Sequence, residues 1–139
     1  KEWFLLDEQG HPASVAGVPP DYFSEDGQLW GNPLYDWEKP EVYDFWRERI
    51  RWCARLYDAV RIDHFRAFHT YWSVPADSPT AMNGHWENGP GMELLNTLHE
   101  AAPELELIAE DLGELDSDAL EFVRTCGVPG MKVMVFALG

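Results

Sequence analysis

The chain has 139 residues, with 10 basic residues against 25 acidic ones and a formal charge of -15 at pH 7. That excess argues against a nucleic-acid partner, since phosphate binding needs a basic patch, and it favours an uncharged ligand. With 45% hydrophobic residues the chain can bury a core as one domain, yet no uninterrupted apolar stretch approaches the roughly 18 residues of a membrane span.

The opening KEWFLLDEQG lacks the cationic start, apolar run and cleavage site of a signal peptide, so a processed start or an internal excerpt is expected. The first 40 residues read as irregular, because Gly10, Pro12, Gly17, Pro19, Pro20, Gly27, Gly31, Pro33 and Pro40 punctuate them. Tyr22, Phe23, Trp30, Tyr35 and Trp37 lie among these breakers. Such rings suit stacking on the apolar face of a sugar, or else they pin the loop to the body of the protein. Residues 41–58 carry Val42, Phe45, Trp46, Ile50, Cys53, Leu56 and Tyr57 at three- and four-residue intervals, which predicts an amphipathic helix.

Residues 60–68, VRIDHFRAF, predict a buried strand over 60–65 whose end carries charge. Residues 69–91 read as a loop, 92–102 as a helix ending before Pro103, and 105–112 (LELIAEDL) as a second strand. A helix starting at 116 or 117 and ending at 125 and a strand over 131–138 complete the series. Alternating helices and apolar strands predict a parallel sheet with helical crossovers. Cys53 and Cys126 have no CxxC spacing or nearby His cluster, which predicts reduced, buried thiols in a cytoplasmic protein.

Strand alternation puts Arg61, Asp63 and Phe65 on one face, so a guanidinium neighbours a carboxylate. The neighbour favours the ionised acid, as a nucleophilic Asp needs, but a buried structural ion pair has the same pattern. The second strand ends in Glu110 and Asp111, only one of which shares a face with Ile108. Ligands of parallel β/α folds gather at the C-terminal strand ends, where two carboxyls about 5 Å apart support retaining glycosyl chemistry. Structural acids and a metal site remain open, although His64, His69 and His85 have no spacing that demands metal.

The segments AGVPPDYFSEDGQLWGNPLYDW (16–37), VRIDHFRAF, TAMNGHWENGPG (80–91), IAEDLG (108–113) and GVPGMKVMVFAL together resemble the motifs of the 4-α-glucanotransferases. These enzymes, also called amylomaltases or disproportionating enzymes, form glycoside hydrolase family 77 of the α-amylase superfamily. The resemblance implies an α/β fold that is part of a (β/α)8 TIM barrel, with strands resembling the fourth to sixth. Residues 1–40 would be a substrate-loop insertion and 41–139 an αβαβαβ segment of one catalytic domain.

It further implies transfer of α-1,4-glucan segments between maltooligosaccharides, with Asp63 as nucleophile, Glu110 as general acid/base and Arg61 orienting the nucleophile. Tyr22, Phe23, Gln28, Trp30 and His64 would bind substrate, with no metal and no cofactor. A third carboxylate, in a His-Asp motif on a later strand, is expected outside these residues, so the chain alone is expected to be inactive. The sequence departs from the family pattern at Ala67 (a usual glycine), at His69 (a usual acid) and over 115–118 (a usual Ile-Thr-Pro run). The alternatives are a retaining α-glucan hydrolase, a glucan-binding piece without catalysis, or a purely structural piece. Open sheet edges predict self-association of the isolated chain.

Overall fold

The computed structural model describes residues 3–134. Ten elements of regular structure are named here in chain order: β1 (Ser14–Val18), β2 (Gln28–Pro33), α1 (Pro40–Leu56), β3 (Ala59–Ile62), β4 (Thr70–Pro75), β5 (His85–Asn88), α2 (Gly91–Ala101), β6 (Glu106–Ala109) and α3 (Ser117–Thr125), with a 3-10 turn at Phe65–Phe68 between β3 and β4. They divide between two units, one holding the residues up to Asp44 together with Thr70–Gly89, the other holding Phe45–His69 and the chain from Pro90 onwards.

In the first unit four antiparallel strands pair in the order β2-β1-β4-β5. Two stretches expected to be irregular, residues 1–40 and 69–91, therefore supply the whole sheet. The physical reason is strand length: Gly and Pro here bound short strands. Gly17 follows a bulge in the β1–β2 pairing, Pro19 and Pro20 follow β1, and Pro33 and Pro75 sit at strand ends. Val15, Val74 and Ala81 form the buried cluster, with Trp72 packed against it and donating its indole N–H to the Ala81 carbonyl at 2.8 Å.

The second unit follows the predicted alternation more closely. β3 and β6 pair in parallel with Ala59 opposite Glu106 and Ile62 opposite Ala109. Leu94, Leu95 and Leu98 of α2, Leu107 and Ala109 of β6, Ala119 and Val123 of α3, and Phe65 are all buried. Burial of each leucine contributes about 1.5–3 kcal/mol before entropy is counted. Asp116 caps α3 by accepting the Ala119 N–H at 2.9 Å, as the polar residues there predict.

The strand predicted over 60–65 stops at Ile62, because His64 takes left-handed dihedrals (φ 49°, ψ 48°) and turns the chain into the 3-10 turn. Phe65 is consequently buried, away from the face it was expected to share with Asp63. Of the third parallel strand, residues 131–134 hold no strand and 135–138 lie outside the described residues. Both cysteines are free thiols, but Cys53 is half-buried where full burial was expected; Cys126 is buried. No helix among the described residues is long and apolar enough to cross a membrane.

Candidate active site

The parallel register brings two acids level. Ile62 opposite Ala109 makes Asp63 and Glu110 the next residues on adjacent strands, at the C-terminal ends where parallel sheets present ligand-binding groups. The ladder continues past the strands in modified form: Glu110 donates its N–H to the Ile62 carbonyl at 2.9 Å, and Phe65 donates to the Glu110 carbonyl at 3.0 Å. The backbone itself joins the two acid-bearing turns.

Asp63 projects outwards, with its side chain 79% exposed and its Oδ1 3.6 Å from the Arg61 guanidinium. The predicted pairing is present on an open face, so the alternative of a buried structural ion pair does not apply. Glu110 is half-buried and held at both oxygens: the His64 N–H donates to Oε2 at 3.0 Å and the Leu112 N–H to Oε1 at 2.7 Å. Backbone donors on both oxygens fix the orientation of the carboxyl group.

The left-handed backbone at His64, which costs a non-glycine residue about 1–3 kcal/mol, accompanies the aim of its amide at Glu110. Its imidazole is held below the ordinary histidine range, first by burial and then by the Arg66 charge, against the opposing pull of Glu110 and Asp63. Asp111 has a different task. Its Oδ1 accepts the Met131 N–H at 3.1 Å, and its carboxylate occupies the space where a side chain at position 130 would begin, so a residue other than glycine there would have to displace it. Of the two adjacent acids, Glu110 is the one beside Asp63's turn, and Asp111 fastens the chain that follows α3. No group of three or more His, Cys, Asp or Glu side chains among the described residues is arranged to hold a metal ion.

The ring-bearing residues of the first unit fall into two sets. Tyr22 and Phe23 are 90% and 87% exposed, edge to face at 5.7 Å. They ride on a turn closed by Asp21, whose Oδ1 accepts the N–H groups of Phe23 and Ser24, both at 2.8 Å. Gly27, at φ +71°, completes it, where a side chain would strike the Val18 carbonyl. On β2 the exposed Trp30 donates its indole N–H to the Gln28 side-chain oxygen at 3.2 Å. Tyr35 and Trp37, in contrast, are half-buried in a ring series in which Phe4 stacks on Tyr35 and Tyr43 meets Trp37 edge-on, so they serve as anchors.

A family model described as 4-alpha-glucanotransferase matches residues 1–139, the entire chain. The chain belongs to the 4-alpha-glucanotransferase family. Curated members are similar throughout it: the 4-alpha-glucanotransferase of Thermus thermophilus is 49% identical over 138 residues, that of Clostridium butyricum 51% over 139, and the chloroplastic/amyloplastic protein of Arabidopsis thaliana 48% over 141. Those matches take in 98%, 98% and 100% of this chain but 28%, 28% and 24% of the relatives. The chain thus spans about a quarter of the length of the family members it matches. Among solved structures, the amylomaltase from Streptococcus agalactiae in complex with acarbose aligns with a TM-score of 0.86 and 46% identity, covering 97% of this chain and 28% of that one.

One group in this family member escaped the sequence reading. Arg66, six residues from the N-terminal end of VRIDHFRAF, is a buried cation whose guanidinium reaches Asp116 at 3.1 Å. A charged residue between Phe65 and Phe68 was its only signal, and nothing local named its partner fifty residues away.

Proposed function

We propose that the whole protein of which this chain is part transfers α-1,4-glucan segments between maltooligosaccharides by a retaining double displacement. The observation that carries this reading is the level pair of Asp63 and Glu110 on adjacent parallel strand ends. Asp63 attacks the anomeric carbon of the donor while a protonated Glu110 gives its proton to the departing O4, leaving a glycosyl ester on Asp63. Glu110, now ionised, takes the proton from the 4-hydroxyl of an incoming glucan as that oxygen displaces Asp63. Arg61, 3.6 Å from Asp63, orients the nucleophile.

Tyr22, Phe23 and Trp30 offer exposed faces to glucose rings, Gln28 steadies Trp30, and the His64 imidazole, kept neutral, serves sugar hydroxyls. The fold of the whole domain is a (β/α)8 barrel to which β3 and β6 contribute neighbouring strands. The family resemblance puts a third catalytic carboxylate outside these 139 residues, so the chain alone is expected not to turn over, and its strand edges favour self-association. The free thiols support a cytoplasmic setting.

The test is Asp63→Asn in the full-length protein. Disproportionation of maltotriose should fall by about 10⁴-fold or more with thermal stability nearly unchanged. A variant that still builds longer and shorter oligomers at the parent rate contradicts the assignment. Steady release of reducing ends by the parent, without a ladder of longer products, would favour the hydrolase reading.

A further inference from the structure

Beyond the two backbone bonds and the His64 N–H to Glu110 bond that join the acid-bearing turns, a second side chain spans the same pair of loops. Arg66 lies on the 3-10 turn, three residues after Asp63, and its side chain is only 10% exposed. One terminal nitrogen donates to Asp116 Oδ2 at 3.1 Å, and the other is 3.5 Å from the Glu114 carbonyl. Glu114 and Asp116 belong to the loop that follows Glu110. Asp116 is fixed in turn by its cap on α3, using its other oxygen. The backbone N–H of Ala119 first, and then the hydrogen bond and charge of Arg66, hold the Asp116 carboxyl below the usual carboxylate range against the opposing effect of burial.

The fork geometry of a guanidinium suits this task. It engages a carboxylate and a carbonyl on one loop at once, which a single ammonium cannot do with fixed direction. Phe65 and Phe68, stacked at 4.6 Å on either side of Arg66 in sequence, and Phe122 of α3 against Phe65 at 6.2 Å, give the turn an apolar bed. The guanidinium therefore works from a rigid base on one loop against a capped helix start on the other.

We propose that Arg66, acting through Asp116, is a positioning residue that sets the separation of Asp63 and Glu110. This rests on the glycosyl-transfer reading above. A retaining mechanism needs its two carboxyls about 5 Å apart, and a misplacement near 1 Å costs on the order of 100-fold in rate. The clamp joins the two acid-bearing loops, so its loss acts on kcat more than on KM.

The experiment compares full-length wild type with Arg66→Met, Arg66→Lys and Asp116→Asn, following kcat and KM for maltotriose disproportionation well below each unfolding midpoint. Asp116→Asn keeps a side-chain oxygen for the α3 cap while removing the charge facing Arg66, so it reports on the clamp even if Arg66→Met fails to fold. The expected result is a fall in kcat of about tenfold or more in Arg66→Met and Asp116→Asn, with KM within about twofold. Arg66→Lys should recover part of the loss, and the Arg66→Met/Asp116→Asn double variant should be no slower than the worse single one, since both break the same link. Unchanged kcat in Asp116→Asn, or a lower unfolding midpoint as the sole effect of the substitutions, overturns the proposal while wild-type transfer upholds the functional reading. Wild type without transfer overturns both.

Discussion

At the scale of single residues, His64 concentrates the local chemistry. Its backbone accepts a left-handed conformation so that its N–H meets Glu110, and its ring sits among Arg66, Glu110 and Asp63, with burial outweighing the two acids. A group whose folded value is lowered takes up its proton later than in the unfolded chain. Its contribution to stability is therefore present above the ordinary histidine value and lost as pH falls through the lowered folded one. The expected outcome in full-length protein is a His64 ring titration, followed by NMR, with its midpoint below the ordinary 6.5. Arg66→Met should move that midpoint upwards, because a positive charge opposing protonation has been removed. A midpoint above the ordinary value in wild type would mean that Glu110 and Asp63 dominate the ring's surroundings.

Among the elements, the turn that carries Tyr22 and Phe23 separates binding from packing most cleanly. Both rings are almost fully exposed, while the turn beneath them is held by Asp21, by the Ser24 hydroxyl donating to the Gly27 carbonyl at 2.6 Å, and by Gly27 itself. Tyr22→Ala/Phe23→Ala in the full-length protein should raise KM for long maltooligosaccharides by about tenfold and change unfolding free energy by less than ~0.5 kcal/mol. A loss of stability at constant KM would assign the rings to packing.

How much of this could be read in advance differs by element. Apolar spacing located α1 and α2, cap residues located α3, and the apolar runs located β3 and β6. α2, α3 and β6 bury a face, but β3, expected to be a buried strand, alternates between exposed and half-buried residues, and α1 leaves Trp52 and Leu56 exposed. The antiparallel strands were hidden by their glycines and prolines: five- and six-residue strands leave little room for alternation to register between breakers. The end of β3 was hidden as well, since Asp63 and His64 continue a strand-like run until the dihedrals of His64 reverse it. Within the site, Arg61, Asp63 and Glu110 were legible as local patterns. The Arg66–Asp116 link was not, because an ion pair between distant loops leaves no mark in either segment.

For the whole molecule, the chain spans about a quarter of the length of its relatives and carries the two acids of the proposed mechanism, so the test of that mechanism belongs to the complete protein. In the proposed mechanism these residues carry the two acids that act in turn. The most direct measurement is to trap the intermediate in full-length Glu110→Gln with α-maltosyl fluoride. Fluoride leaves without a proton from Glu110, so the first displacement proceeds, whereas the second lacks its base. Mass spectrometry of the digested protein should find a maltosyl ester on the peptide containing Asp63, at Asp63. A fully reacted donor with no adduct, or an adduct on another carboxylate, would contradict the account.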